Sequence, residues 1–389
     1  MAPIQKEDLR LPQTGPLPKV GEVVGGKYKL ERLIGKGAMG AVFAARHELL
    51  QKQVAIKLMT EEHAGTPQAM TRFFNEARAA AGIEGEHVAR VLDVGQLESG
   101  APFMAIELLE GEDLAQLLER RGPLPVHEVV DWTLQALEAL AEAHSLGVVH
   151  RDLKPANLFL ARRRDGTKLV KVLDFGISKQ NTTKGSAGAV ASITATASFL
   201  GSPMYMAPEQ LRSAKSVDAR ADIWAIGVVM YELLSGKLPF EAGSVPELFV
   251  AVLEQSPVSL RARRQDVPSG LEEVVMRCLA REAADRYQNV ADLAEALAPF
   301  VANGTHPSVE RIRYLWQTAP QWTRTEMASL HLPQTRRTRV VAVAVAGVVV
   351  GMAVAGAAHF VATARQPGPD AASLPSASPG GVSRAGPKP

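Results

Sequence analysis

The chain has 389 residues, 46% of them apolar, which leaves room for one large two-lobed domain with appendages or for two ordinary domains. A formal net charge of +2 offers no bulk attraction for nucleic acid, so no nucleic-acid partner is expected. The single cysteine, Cys278, excludes an intrachain disulfide and fits a reducing compartment, and the nine histidines are scattered without the spacing of a zinc site.

Residues 1–27 carry Pro3, Pro12, Pro16 and Pro18 and no apolar core of signal-peptide length, which reads as a disordered leader. Strands are predicted over 28–34 and 41–45. Between them lies Gly35-Lys-Gly-Ala-Met-Gly40, followed by Ala41-Val42. Glycines at this spacing let the backbone bend sharply and bring its N–H groups close to phosphate oxygens. In a dinucleotide fold such a loop opens a helix, whereas here a second strand follows, which favours a hairpin flap.

A third strand, 53–59, carries one charge, Lys57, in apolar surroundings where an unpaired ammonium is expensive. Thr66-Pro67 is a helix start, and the helix is expected to run to about residue 81. Glu76 on that helix is the natural carboxylate for Lys57, which would in turn hold the α- and β-phosphates of a nucleotide. A strand over 102–109 leads to the linker Glu110-Gly111. Next, 126–144 places Val130, Leu134, Leu137, Leu140 and Ala141 on one helical face.

The chain is organised around His150-Arg-Asp-Leu-Lys-Pro-Ala-Asn157, held between the apolar pairs Val148-Val149 and Leu158-Phe159. A lone His-Arg-Asp reads as a solvated turn. The longer string offers a carboxylate, an ammonium and a carboxamide suited to phosphoryl transfer. Asp152 can accept a hydroxyl proton, Lys154 can neutralise charge on the moving group, and Asn157 can ligate a metal. Seventeen residues on, the strand 169–173 ends in Asp174-Phe-Gly176, a suitable second ligand for Mg²⁺.

Residues 180–198 are rich in Ser, Thr, Ala and Gly without apolar periodicity and read as mobile. Residues 221–234 are apolar nearly all round, the pattern of a buried helix, and Asp222 there is expected to accept backbone N–H bonds from a neighbouring loop. Helices are predicted over 247–254, 270–280 and 290–301. Glu209 and Arg286 are candidates for a buried ion pair.

From 302 to 339 the chain is polar and ends in Thr335-Arg-Arg-Thr-Arg339. The 25 residues 340–364 contain no Asp, Glu, Lys or Arg, long enough for a transmembrane helix. Arg336, Arg337 and Arg339 put the preceding domain on the cytoplasmic side. Gly347, Gly351 and Ala355 give one small-residue face suited to a homodimer of spans. Residues 365–389, rich in Pro, Gly, Ser and Ala, are expected to form a disordered extracytoplasmic tail.

These motifs, in this order over roughly 28–300, resemble the bacterial membrane-anchored eukaryotic-like (Hanks-type) serine/threonine protein kinases. The matched stretches are 35–42, Val54-Ala-Ile-Lys57, Glu76, 150–157, Asp174-Phe-Gly176, Ala207-Pro-Glu209, Asp222 and Arg286. The resemblance implies an α+β bilobal fold, with a β-rich N-lobe over 28–109, an α-helical C-lobe over 110–300 and a juxtamembrane linker over 301–339. It implies ATP and Mg²⁺ as cofactors, with Ile34, Gly35, Gly37, Gly40, Val42, Ala55, Lys57, Glu107 and Leu109 at the nucleotide and Asn157 and Asp174 at the metal. Asp152, Lys154, Lys57 and Glu76 would be the catalytic set, and Lys154 points to Ser/Thr rather than Tyr as acceptor.

By the same resemblance, Arg151 would dock a phosphorylated residue, Ser202 would place the acceptor hydroxyl, and Thr194, Thr196 or Ser198 would be the autophosphorylation site. Glu209, Asp222 and Arg286 would be structural. The implied activity is transfer of the γ-phosphoryl group of Mg-ATP to protein Ser/Thr hydroxyls in signal transduction at the bacterial inner membrane. The alternative is a membrane-tethered pseudokinase, a docking module without turnover. A small-molecule kinase would share the catalytic string, but the 202–209 segment argues for a peptide groove.

Overall fold

A computed structural model describes residues 17–37, 40–59, 67–175, 203–212, 217–302 and 304–319. The N-lobe is a six-stranded antiparallel sheet built from β1 (Val23–Val24), β2 (Tyr28–Gly37), β3 (Gly40–His47), β4 (Gln53–Met59), β5 (Val91–Gln96) and β6 (Pro102–Glu107), in the order β1-β2-β3-β4-β6-β5. The two-residue period of a strand puts Val54, Ile56 and Leu58 on one face, where they pack with Leu30, Phe43 and Phe103. The odd residue of that run, Lys57, therefore stands on the opposite face, paired across the sheet with Val42 and Met104. The first helix, α1 (Pro67–Ala81), covers that face by laying Phe73 and Ala77, one helical turn apart, on Met104.

The C-lobe begins with β7 (Gly111–Asp113) and α2 (Leu114–Arg121), which Asp113 caps by accepting the N–H groups of Ala115 and Gln116. The 20-residue α3 (Val126–Ser145) follows, then β8 (Leu158–Arg162) and β9 (Lys168–Val172), which complete a small sheet with β7. Beyond these lie α4 (Pro208–Arg212), α5 (Arg220–Ser235), α6 (Val245–Glu254), α7 (Leu260–Arg263), α8 (Ser269–Cys278), α9 (Val290–Leu297) and α10 (Pro307–Thr318). α5 is buried on nearly every side, with Trp224 and Tyr231 fully enclosed, and it stops at Gly236, whose φ of +71° is left-handed. Truncating a core residue such as Leu134, fully buried on α3, would cost about 2–5 kcal/mol.

The segment 82–90 after α1 stitches the lobes together. Val88 pairs with Val172 of β9, Val172 N–H donates to the His87 carbonyl at 2.8 Å, and Glu142 of α3 accepts the Glu84 and Gly85 N–H groups. α1 is thereby set on a C-lobe anchor.

The bilobal expectation is borne out, with two differences at its margins. The leader expected to be disordered through residue 27 acquires order earlier, because Val24 is buried in the N-lobe core and its strand pairs with Tyr28. A helix also falls in the stretch read as polar linker: α10 buries Ser308, Val309 and Ile312 and packs Leu315 and Trp316 against the C-lobe core, an apolar stripe interrupted by charges. Among the described residues no helix is long and apolar enough to cross a membrane. The span expected over 340–364 and the tail after it lie outside the described residues.

Candidate active site

Lys57 reaches from the centre of β4 into the cleft between the lobes. Its Nζ lies 3.1 Å from Oε1 of Glu76 on α1 and 2.6 Å from Oδ1 of Asp174, just past β9. Burial pulls the lysine's pKa down, but the two carboxylates outweigh it and leave the ammonium held above its ordinary range. Burial likewise pushes Asp174 up, and the Lys57 charge and hydrogen bond bring it below the ordinary carboxylate range. The lysine is charged, and Asp174 is charged with it.

The loop after α3 is shaped by one carboxylate. Asp222, fully buried on α5, accepts the backbone N–H of His150 and of Arg151, each at 2.8 Å, and contacts His144 Nε2 at 2.8 Å. Burial raises the Asp222 pKa, but its hydrogen bonds and the neighbouring imidazoles outweigh that and lower it overall. Between its two anchors the chain takes a left-handed turn, with Arg151 at φ +65°. A non-glycine residue in that region costs on the order of 1–2 kcal/mol, which the two bonds to Asp222 offset.

His150 lies under the loop, its ring 4.7 Å from that of the buried Phe175. Its Nε2 contacts the Leu173 carbonyl at 3.0 Å and its Nδ1 takes the Asp152 N–H at 3.2 Å. One nitrogen must donate and the other accept, so the imidazole is neutral. Burial lowers its pKa in the same sense. Asp152 is positioned by this contact and by Asn157, whose Nδ2 donates to the Asp152 carbonyl at 2.8 Å and approaches Oδ2 at 3.5 Å. Lys154 Nζ lies 3.5 Å from the same Oδ2. Leu173 N–H donates to the Asn157 carbonyl at 2.9 Å, which brings Asp174 alongside the loop.

The cleft encloses about 520 Å³. Of the residues expected there, Ile34, Gly35, Val42, Lys57, Glu76, Leu109 and Asp174 line it. Gly37 and Gly40 face each other across the β2–β3 register, and a Cβ on Gly40 would collide with the Leu58 carbonyl oxygen. Ala55 is buried in β4 between Ala44 and Ile106, two residues before Lys57 and on the same face of the strand. The Glu107 side chain leaves the nucleotide side altogether, binding Lys171 Nζ at 2.6 Å and the Arg90 N–H at 2.8 Å. Sequence reasoning missed Arg32, Ala89 and Phe159 as cleft residues. Strand alternation alone does not place Arg32 with Ile34, because the β2–β3 register is irregular between Leu33 and Gly35.

Glu209 and Arg286 meet in a two-pronged ion pair at 2.7 and 2.8 Å. Arg286 is fully buried and also donates to the carbonyls of Ala280, Arg281 and Arg220. Ser202 and the candidates Thr194, Thr196 and Ser198 lie outside the described residues. Among the described residues no group of three or more His, Cys, Asp or Glu could hold a metal. The two residues expected at a metal, Asn157 and Asp174, carry oxygen donors of the kind Mg²⁺ takes together with phosphates and water.

A protein-family model, the protein kinase domain, matches residues 28–297. The chain belongs to that family. It is 40% identical over 271 residues to serine/threonine-protein kinase pkn3 of Myxococcus xanthus, covering 69% of this chain and 48% of that protein. It is 32% identical over 289 residues to serine/threonine-protein kinase PknB of Mycobacterium tuberculosis, covering 74% of this chain and 44% of that one. The chain thus spans about half the length or less of these curated relatives. The crystal structure of the M. tuberculosis PknI kinase domain is 28% identical to it and superposes with a TM-score of 0.57, over 73% of this chain and 98% of the other. These likenesses place the domain among the bacterial Hanks-type kinase domains.

Proposed function

We propose that this chain is a serine/threonine protein kinase that transfers the γ-phosphoryl group of ATP to protein hydroxyls. The observation that carries the reading is the position of the Lys57 ammonium, bonded at once to Glu76 and to Asp174. Three elements converge there, beside the 150–157 loop that carries Asp152 and Asn157. Lys57 supplies positive charge for the α- and β-phosphates, and Glu76 fixes where that charge stands. Asp152 orients the acceptor hydroxyl and takes its proton. Lys154, beside that carboxylate, neutralises charge on the transferring group. Asn157 and Asp174 suit Mg²⁺, which when bound neutralises phosphate charge.

Arg151 is the proposed dock for a phosphorylated activation segment. Its Nε is buried with no hydrogen-bond partner among the described residues, a donor for which a phosphate would be a strong acceptor. Thr194, Thr196 and Ser198 are the proposed sites of that phosphate. Residues 340–364 are proposed to anchor the kinase in the bacterial inner membrane with its domain cytoplasmic. The small-residue face of Gly347, Gly351 and Ala355 is proposed to pair two copies.

The test is phosphoryl transfer by the full chain in detergent, with Mg-ATP and a basic protein substrate, beside Lys57→Met and Asp152→Asn. Phosphoserine or phosphothreonine from the wild type and from neither variant is expected. ATP binding without transfer by the wild type would move the docking-module reading to the front.

A further inference from the structure

α10 lies beyond residue 297, where the match to the family ends. It is nonetheless built into the domain. Ile312 is fully buried and Val309 nearly so, both within the C-lobe core, and His306 Nε2 ties the helix start to Asp131 of α3 at 2.7 Å. One turn along α3 from the Glu142 that holds 84 and 85 stands Glu138, only 12% exposed. Arg311 of α10 binds Glu138 at 3.0 Å and Glu86 at 3.2 Å. Ser308 of α10 hydrogen-bonds Glu138 as well, and His87 Nε2 approaches it at 3.5 Å.

Glu138 is therefore a shared node. α10 holds it from one side and the 82–90 segment from the other. Burial pushes this carboxyl up, but His87, Ser308 and Arg311 together outweigh burial and hold it near about 2. An exposed ion pair such as Arg311–Glu86 contributes little alone. The largely buried carboxylate and the apolar anchor of Ile312 make the attachment stronger than that pair.

From this we infer that α10 is a positioning clamp for the reaction: through Glu138, Glu86 and His87 it fixes the segment that carries α1, and so fixes Glu76 against Lys57. The inference deepens the kinase reading and rests on it. Arg311 and Glu138 are positioning residues, acting on the reacting groups only through α1. Because α10 is the last described element before the arginine-rich segment and residues 340–364, whatever displaces it would be felt at Lys57.

The test uses the full chain in detergent. Ile312→Asp undocks α10, Arg311→Ala cuts the node, and Arg311→Lys keeps a charge there. Amide hydrogen exchange reads α1 and 82–90 against α5, and kcat and KM for ATP are measured in parallel. Expected for Ile312→Asp and Arg311→Ala is exchange about tenfold faster in 67–90 with α5 unchanged, a kcat lowered about tenfold, and partial recovery in Arg311→Lys. Unchanged exchange at 67–90 in Ile312→Asp while α10 exchanges freely would overturn the inference. So would protection lost equally in α5, which marks general destabilisation. Exchange does not depend on turnover, so a wild type without transfer activity would sink the kinase reading and leave the clamp to be judged on its own.

Discussion

Asp222 accepts the Arg151 N–H at 2.8 Å and holds that residue in a left-handed turn at φ +65°. The same carboxylate takes the His150 N–H. The catalytic loop thus hangs from a helix residue 71 positions beyond Arg151 in the chain.

Asp222→Ala would leave two buried N–H groups without an acceptor, at about 1–3 kcal/mol each, and would release the strained turn. The urea midpoint is expected to fall by the equivalent of about 3 kcal/mol or more, with transfer activity lost even under conditions where the fold survives. Wild-type activity in the folded variant would show that the loop keeps its shape by other means.

Lys57→Met removes the cation that Glu76 and Asp174 share. The side chains are similar in length, so the sheet should persist. Turnover is expected to drop by about 10²–10³-fold, the size of losing one transition-state charge contact. Steady-state kinetics with a circular dichroism control would separate this from unfolding.

Arg286 is enclosed completely, and Glu209 is its carboxylate. Glu209→Gln would leave the guanidinium without its counter-charge, while Ala280, Arg281 and Arg220 still accept from it. Breaking such a pair costs about 3–5 kcal/mol, which denaturant titration would read directly. A loss under 1 kcal/mol would mean the carbonyls carry the site.

His150 provides a pH dependence with a defined sign. Its folded pKa lies below the unfolded value of about 6.5, so between the two the unfolded chain binds the extra proton. Stability is then complete above about pH 6.5 and falls as pH drops through that window. Asp222, whose pKa is also lowered, adds a second loss at more acid pH, below the unfolded carboxylate value of about 3.9. Thermal midpoints compared at pH 7.5 and 5.5 should show the first loss. A flat profile would mean that His150 titrates as it does in the unfolded chain.

The site was legible where chemistry is written in short contiguous strings. Lys57, Asp152, Asn157 and Asp174 each announce themselves by local context, and an acid inside the apolar run of α5 requires partners. Glu107 shows where that reasoning stops. It was read as a nucleotide contact, while its side chain serves Lys171, 64 residues away, a pairing that no spacing rule encodes. α10 was missed for a different reason. Val309, Ile312, Leu315 and Trp316 do recur at helical spacing and pack on the C-lobe core, but charged positions interrupt that stripe in a stretch read as polar throughout.

The third glycine of the phosphate loop is constrained by a neighbouring strand. A methyl group at Gly40 would collide with the Leu58 carbonyl, one residue from Lys57, whereas the space beside Gly35 and Gly37 is open. A library randomised across the loop and selected only for folding should therefore admit small residues at positions 35 and 37 and return glycine at 40. Drift at that position is restrained by the architecture of the sheet before any nucleotide exerts selection.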